Sequence, residues 1–120
     1  EYHFLWKQLK GDFILRARVK FIGEGVDPHR KIGWIIRNTL DSKSAHVNIS
    51  VHGDGLTSLQ FRKKHGGITE EVRSPISAPD VIQLERRGKT YIMSVASFGD
   101  PFSTESLSEV KLNDNVYDFF

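Results

Sequence analysis

A two-residue rhythm of apolar and polar side chains, with no competing helical period, constrains this chain most. Over residues 12–22, Phe13, Leu15, Ala17, Val19 and Phe21 fall on one side, and Arg16, Arg18 and Lys20 on the other. Over 45–52, Val47, Ile49 and Val51 alternate with His46, Asn48, Ser50 and His52. Side chains of a β-strand point alternately to its two faces, so this spacing predicts strands with one face in a core. The rhythm is looser over 59–63 and 81–86, while 31–37 and 91–96 are apolar on both faces, as central strands are. No window of ten or more residues carries a helical period.

Turn-forming residues punctuate these runs. Gly23-Glu24-Gly25, Asp41-Ser42-Lys43-Ser44, Gly53-Asp54-Gly55, Gly66-Gly67, Arg87-Gly88-Lys89 and Gly99-Asp100-Pro101 each separate two apolar stretches. Gly53-Asp54-Gly55 and Arg87-Gly88-Lys89 are short enough for tight hairpins. Pro75 and Pro79 exclude a central strand from the loop 74–80. About nine short strands at this spacing predict an all-β fold of two stacked antiparallel sheets. A chain of 120 residues is one domain's worth and buries roughly two-thirds of its unfolded surface, enough for a single core.

Composition narrows the functional classes. Without cysteine there is no disulfide, thiolate metal site or cysteine nucleophile. No apolar stretch is long enough to span a membrane as a helix. Seventeen basic residues against 15 acidic ones leave a formal charge of +2. Apart from Arg62-Lys63-Lys64 and Arg86-Arg87 the basic residues are scattered along the chain, so nucleic acid is not an expected partner. The chain begins at Glu1 with neither initiator Met nor signal peptide and reads as a fragment or a processed product, so targeting is not read from it.

The order of motifs resembles an uncharacterised bacterial family of the concanavalin A-like lectin/glucanase superfamily. The resemblance rests on Trp6 followed by Gly11-Asp12-Phe13-Ile14-Leu15-Arg16-Ala17-Arg18-Val19. It continues through Ile32-Gly33-Trp34-Ile35-Ile36-Arg37, and through Ile82-Gln83-Leu84-Glu85-Arg86-Arg87-Gly88-Lys89-Thr90-Tyr91 to Ser97-Phe98-Gly99-Asp100. It spans nearly the whole chain. It implies a jelly-roll sandwich able to hold a glycan on one sheet, in secreted or periplasmic bacterial proteins, some of which carry TolB-like β-propellers. Asn115-Val116-Tyr117 resembles the start of the family's last-but-one strand, but the chain then reads Asp118-Phe119-Phe120 and stops. That departure predicts missing terminal strands, or a strand supplied by another domain or a second copy.

The candidate binding residues follow from the polar side of the 45–52 strand. His46, Asn48 and His52, joined by Gln60 and Arg62 on the next run, offer donors and acceptors suited to sugar hydroxyls. Arg37, at the position of the family's arginine, could bridge such hydroxyls or form a structural ion pair. Trp34 could give a pyranose an aromatic platform, although its apolar neighbours also suit a core residue. His46 and His52 cannot share a metal, because six strand residues separate them by about 20 Å. Gly23-Glu24-Gly25-Val26-Asp27-Pro28-His29 sets two carboxylates in a glycine-rich loop, where a calcium would still need most of its oxygens from elsewhere. No other cofactor is expected.

Hydrolytic relatives in this superfamily carry Glu-x-Asp-x-x-Glu on one strand, and no glutamate here is followed two residues later by aspartate. Glu70 and Glu71 are adjacent and predict opposite faces, and Glu85 precedes two arginines that would keep it ionised. The sequence therefore favours a non-catalytic, carbohydrate-binding-like accessory module. The alternatives are a cryptic glycoside hydrolase whose carboxylates converge from separate strands, and a structural module beside a propeller.

Overall fold

A computed structural model describes residues 6–19, 31–107 and 110–119, with the side chains of Trp6, Lys7 and Phe119 excepted. Among these residues there are ten strands and no helix: β1 (Trp6–Lys10), β2 (Phe13–Arg18), β3 (Lys31–Arg37), β4 (His46–His52), β5 (Thr57–Arg62), β6 (Glu70–Arg73), β7 (Val81–Arg87), β8 (Thr90–Ala96), β9 (Ser103–Leu107) and β10 (Asn115–Phe119). They form a six-stranded sheet in the order β1-β10-β3-β4-β5-β6 and a four-stranded sheet in the order β2-β7-β8-β9. Every pairing is antiparallel. The fold is a two-sheet antiparallel β-sandwich, and no helix among the described residues is long and apolar enough to cross a membrane.

The alternation seen in the sequence is what closes the sandwich. On β2, Phe13, Leu15 and Ala17 turn inward while Ile14, Arg16 and Arg18 are exposed. Ile36, Val47, Ile49 and Leu59 from the larger sheet meet Ile82, Leu84, Tyr91, Met93 and Val95 from the smaller one in a single core. Each such fully buried side chain contributes about 1.5–3 kcal/mol relative to exposure. Trp34 belongs to this core, with 7% of its surface exposed.

Two glycines decide local geometry. At Gly55, φ is +95°, and its N–H donates to the His52 carbonyl at 2.9 Å, while the His52 N–H donates to the Leu56 carbonyl at 2.8 Å. This is a three-residue hairpin whose last position is left-handed, which glycine adopts without steric cost. Asp54 Oδ1 accepts the Leu56 N–H at 3.0 Å and braces the turn. Gly33 answers a different need: any Cβ there would overlap the backbone carbonyl of Ile49 on β4.

The strand β10 lies inside the larger sheet, paired with β1 on one side and β3 on the other. Among the described strands, β1, β6, β2 and β9 are the outermost of their sheets. Arg86 holds the segment leading into β10. Its guanidinium is buried and donates to the carbonyls of Leu112 at 3.2 Å and Asn113 at 2.7 Å, tying the smaller sheet to a strand of the larger one.

Candidate functional site

The site is assembled by cross-strand register. Side chains at paired positions share a face, so the outer face of the six-stranded sheet can be read in rows. Arg37, His46 and Arg62 form one row, and Ile35, Asn48, Gln60 and Glu71 the next. Gly33, Ser50, Ser58 and Arg73 form the third, and Lys31 pairs with His52 in the fourth. Arg37, His46, Asn48, His52, Gln60 and Arg62, all expected from the sequence, are thus gathered on one face. Trp34 is the correction. It pairs with Ile49 and lies between Gly33 and Ile35, one residue out of phase with this face, so it packs into the core and offers no platform. The Trp6 side chain and the 23–29 loop, the latter weighed for calcium, lie outside the described residues.

A relay of hydrogen bonds fixes the amides of the second row. Arg73 Nε donates to Glu71 Oε1 at 2.6 Å, and Gln60 Nε2 donates to Glu71 Oε2 at 2.9 Å. With its NH2 group committed to the carboxylate, Gln60 turns Oε1 toward Asn48, whose Nδ2 donates to it at 3.5 Å. The carbonyl oxygen Asn48 Oδ1 consequently points away from the relay, and it is buried without a partner.

That atom is one of several. Among the described side chains, eight buried polar atoms lack a hydrogen-bond partner, and five of them lie on this face: Asn48 Oδ1, Ser50 Oγ, His52 Nε2, Ser58 Oγ and Arg62 Nε. Ser50 is 7% exposed and Ser58 is fully buried, each a small residue set low between taller neighbours. An unpaired buried polar group costs about 1–3 kcal/mol, so native proteins seldom leave one, and a cluster is a demand for external partners. The Arg62 guanidinium is held from its far end, where it donates to the Ser42 carbonyl at 2.9 Å and to Thr69 Oγ1 at 3.4 Å.

His46 is held neutral. Burial lowers its pKa below the ordinary 6.5, opposed by a bond from Nδ1 to the Ser44 carbonyl and reinforced by the charges of Arg62 and Arg37. Because Nδ1 faces a carbonyl it carries the proton, which leaves Nε2 as an acceptor. Glu71 is pushed the other way from a proton donor: the bonds from Arg73 and then Gln60 lower its pKa, keeping it a carboxylate. Other carboxylates serve elsewhere. Glu85 pairs with Arg87 on the other sheet, Asp41 accepts the Lys43 N–H, and Asp54 caps its turn. No group of three His, Asp or Glu side chains among the described residues is placed to hold a metal ion.

His52 also borders a cavity of about 250 Å³ at the end of the sandwich, lined among others by Val19, Ile32, Val51, Ala78 and Asp80. Ala78 has φ +49°, an uncommon left-handed conformation for a residue with a Cβ, and its N–H donates to the Gly55 carbonyl at 2.8 Å.

Sequence reasoning found the polar strand and its neighbours but not Ser58, Gly33 or Lys31. Ser58 and Gly33 carry no chemical signal alone; they matter because they stand beside Ser50, and only the register shows that. Compared with protein-family models, curated proteins and solved structures, the chain finds no match.

Proposed function

We propose that this chain is a non-catalytic binding module that takes a glycan on the outer face of its six-stranded sheet. The observation that carries the reading is the cluster of five unpartnered buried polar atoms on β4 and β5. Two serine hydroxyls, an amide oxygen, an imidazole nitrogen and a guanidinium N–H can both donate to and accept from sugar hydroxyls. Glu71, ionised by Arg73 and Gln60, is a poor candidate for the acid of a glycosidase. The resemblance to concanavalin-like domains agrees with this reading; it would make the sandwich a jelly roll and set it in a secreted or periplasmic protein.

Calorimetry against a panel of plant and microbial polysaccharides tests the reading. The intact chain should bind, and Ser50→Ala with Ser58→Ala should weaken binding about thirtyfold, each hydroxyl contributing about 1 kcal/mol. Failure of the intact chain to bind any glycan, or full affinity in the double variant, removes it.

A second reading is favoured by one separate observation. Ile14, Phe98 and Phe102 are exposed and border the outer face of the four-stranded sheet, an apolar surface suited to another domain.

A further inference from the structure

We infer that the ligand of the six-stranded face is an acidic glycan, one bearing carboxylate or sulfate groups; this rests on the glycan reading above and specifies its charge. The face gathers cations that are scattered in the sequence. By register, Lys10, Lys31, Arg37, Arg62 and Arg73 share its outward phase, against the single carboxylate of Glu71. Among the described residues the face thus carries a net of four positive charges on a chain whose total is +2.

The charge stands beside the unpartnered atoms. Among the described residues Arg62 has no carboxylate partner: one terminal nitrogen donates to the carbonyls of Ser42 and Ser44, the other to the Thr69 hydroxyl, and its buried Nε–H has no acceptor. Ser50 and Ser58, each more than nine-tenths buried, share one row, two rows from Arg62; the Ser50 hydroxyl has no partner, and that of Ser58 stands by the Glu71 carboxylate. An ionised oxygen suits this setting better than a neutral one, because a charge-assisted hydrogen bond is about twice as strong as a neutral one. Arg37 and Arg62 flank His46 from the strands on either side, about 10 Å apart, so anionic groups along an extended chain can meet successive cations.

A single-stranded nucleic acid is also anionic, but it asks for exposed rings on which its bases can stack. Tyr117, paired with Arg37, is the one described Phe, Tyr or Trp side chain in outward phase on this face, and it is half-buried; Phe98 and Phe102, which are exposed, border the other sheet, each with an Arg of β2 over its ring.

The test titrates the intact chain with polygalacturonate, a sulfated dextran, neutral dextran, neutral xylan and single-stranded DNA, at low and at raised salt. The acidic glycans should bind at least about tenfold more tightly than the neutral ones, and raised salt should erase the difference. Arg62→Gln should lower the acidic-glycan affinity about tenfold, and the neutral-glycan affinity by less, because only an ionised oxygen loses a charge-assisted bond. Arg62 also braces two loops, so Lys31→Glu, at an exposed side chain, is the companion variant and should act in the same direction. If neutral glycans bind as tightly, independently of salt, and lose affinity in Ser50→Ala with Ser58→Ala, the glycan reading stands and the acidic specificity falls. If no glycan binds, the glycan reading itself falls. DNA binding more tightly than either acidic glycan would overturn the inference in favour of a nucleic-acid face.

Discussion

On the outer face of the four-stranded sheet, Gln83 and Ser94 are buried to 9% and 6% exposure, much as Ser50 is at 7% on the six-stranded sheet. Their polar atoms are partnered. Gln83 Oε1 accepts Arg16 Nε at 2.8 Å and Nη2 at 2.6 Å, and Ser94 Oγ lies 3.3 Å from Thr104 Oγ1. The arginines of β2 are further stacked, Arg16 over Phe102 and Arg18 over Phe98 at 4.6 Å in the latter case. No described side-chain atom on that face is buried and unpaired, whereas the opposite face of the molecule has five. Burial alone therefore does not separate the two faces. What separates them is whether the buried polar atoms were given partners within the chain, and that difference makes the six-stranded face the candidate site.

The largest effect we expect comes from the floor of that face. Gly33→Ala forces a Cβ into the Ile49 carbonyl and should destabilise the protein by about 3 kcal/mol, read from the urea midpoint. Gly88, in the β7–β8 hairpin of the four-stranded sheet, has φ +57° and open space around it, so Gly88→Ala should cost only about 1 kcal/mol. Equal costs would mean that β3 and β4 are not held as closely as described.

Polar deletions should then differ in sign between the faces. Gln83→Ala leaves the Arg16 guanidinium without its acceptor and should cost about 1 kcal/mol, a modest figure because Arg16 is solvent-exposed. Ser50→Ala removes a hydroxyl that has no partner, and Ser58→Ala one that only stands by the Glu71 carboxylate; each should leave stability unchanged or raise it by about 0.5 kcal/mol. Thermal and urea unfolding of the three variants decides the point, and a serine variant as destabilised as Gln83→Ala would break the comparison. Stabilising variants that also lose ligand would show residues kept at a cost to folding.

The smallest effect is a pH slope. Burial sets the pKa of His46 in the folded state below its unfolded value of 6.5. Above that pH the imidazole is neutral in both states and its contribution is complete. As pH falls below it, the unfolded chain takes up a proton that the folded chain resists, and stability declines until the folded-state pKa is passed. Urea midpoints between neutral and mildly acidic pH should show this decline, and His46→Gln should flatten it. A slope unchanged in that variant would place its origin at another group.

Much of this was legible in the chain itself. Alternation over 12–22 and 45–52, the glycine turns and the lack of a helical period specify strands, their inward faces and a two-sheet sandwich, because strand periodicity and turn chemistry are local. The same periodicity places His46, Asn48 and His52 on one side of β4. Two strands escaped it. β6 has Val72 as its one apolar residue, and β9 has Leu107 as its own. Edge strands bury little, so they leave a weak alternation signal.

Only the tertiary structure decided the rest. Trp34 is equally at home in a core or at a binding surface by composition, and the phase of β3 against Gly33 put it inside. Which strand lies beside which depends on contacts between residues distant in sequence, and these brought Gly33, Ser50 and Ser58 into one row and drew scattered cations onto one face. Whether a buried hydroxyl or amide finds a partner is decided across strands by a few tenths of an ångström and by the direction of a lone pair. That is why the sequence specifies a polar ladder here, and the assembled sheet specifies which of its atoms still need something to bind.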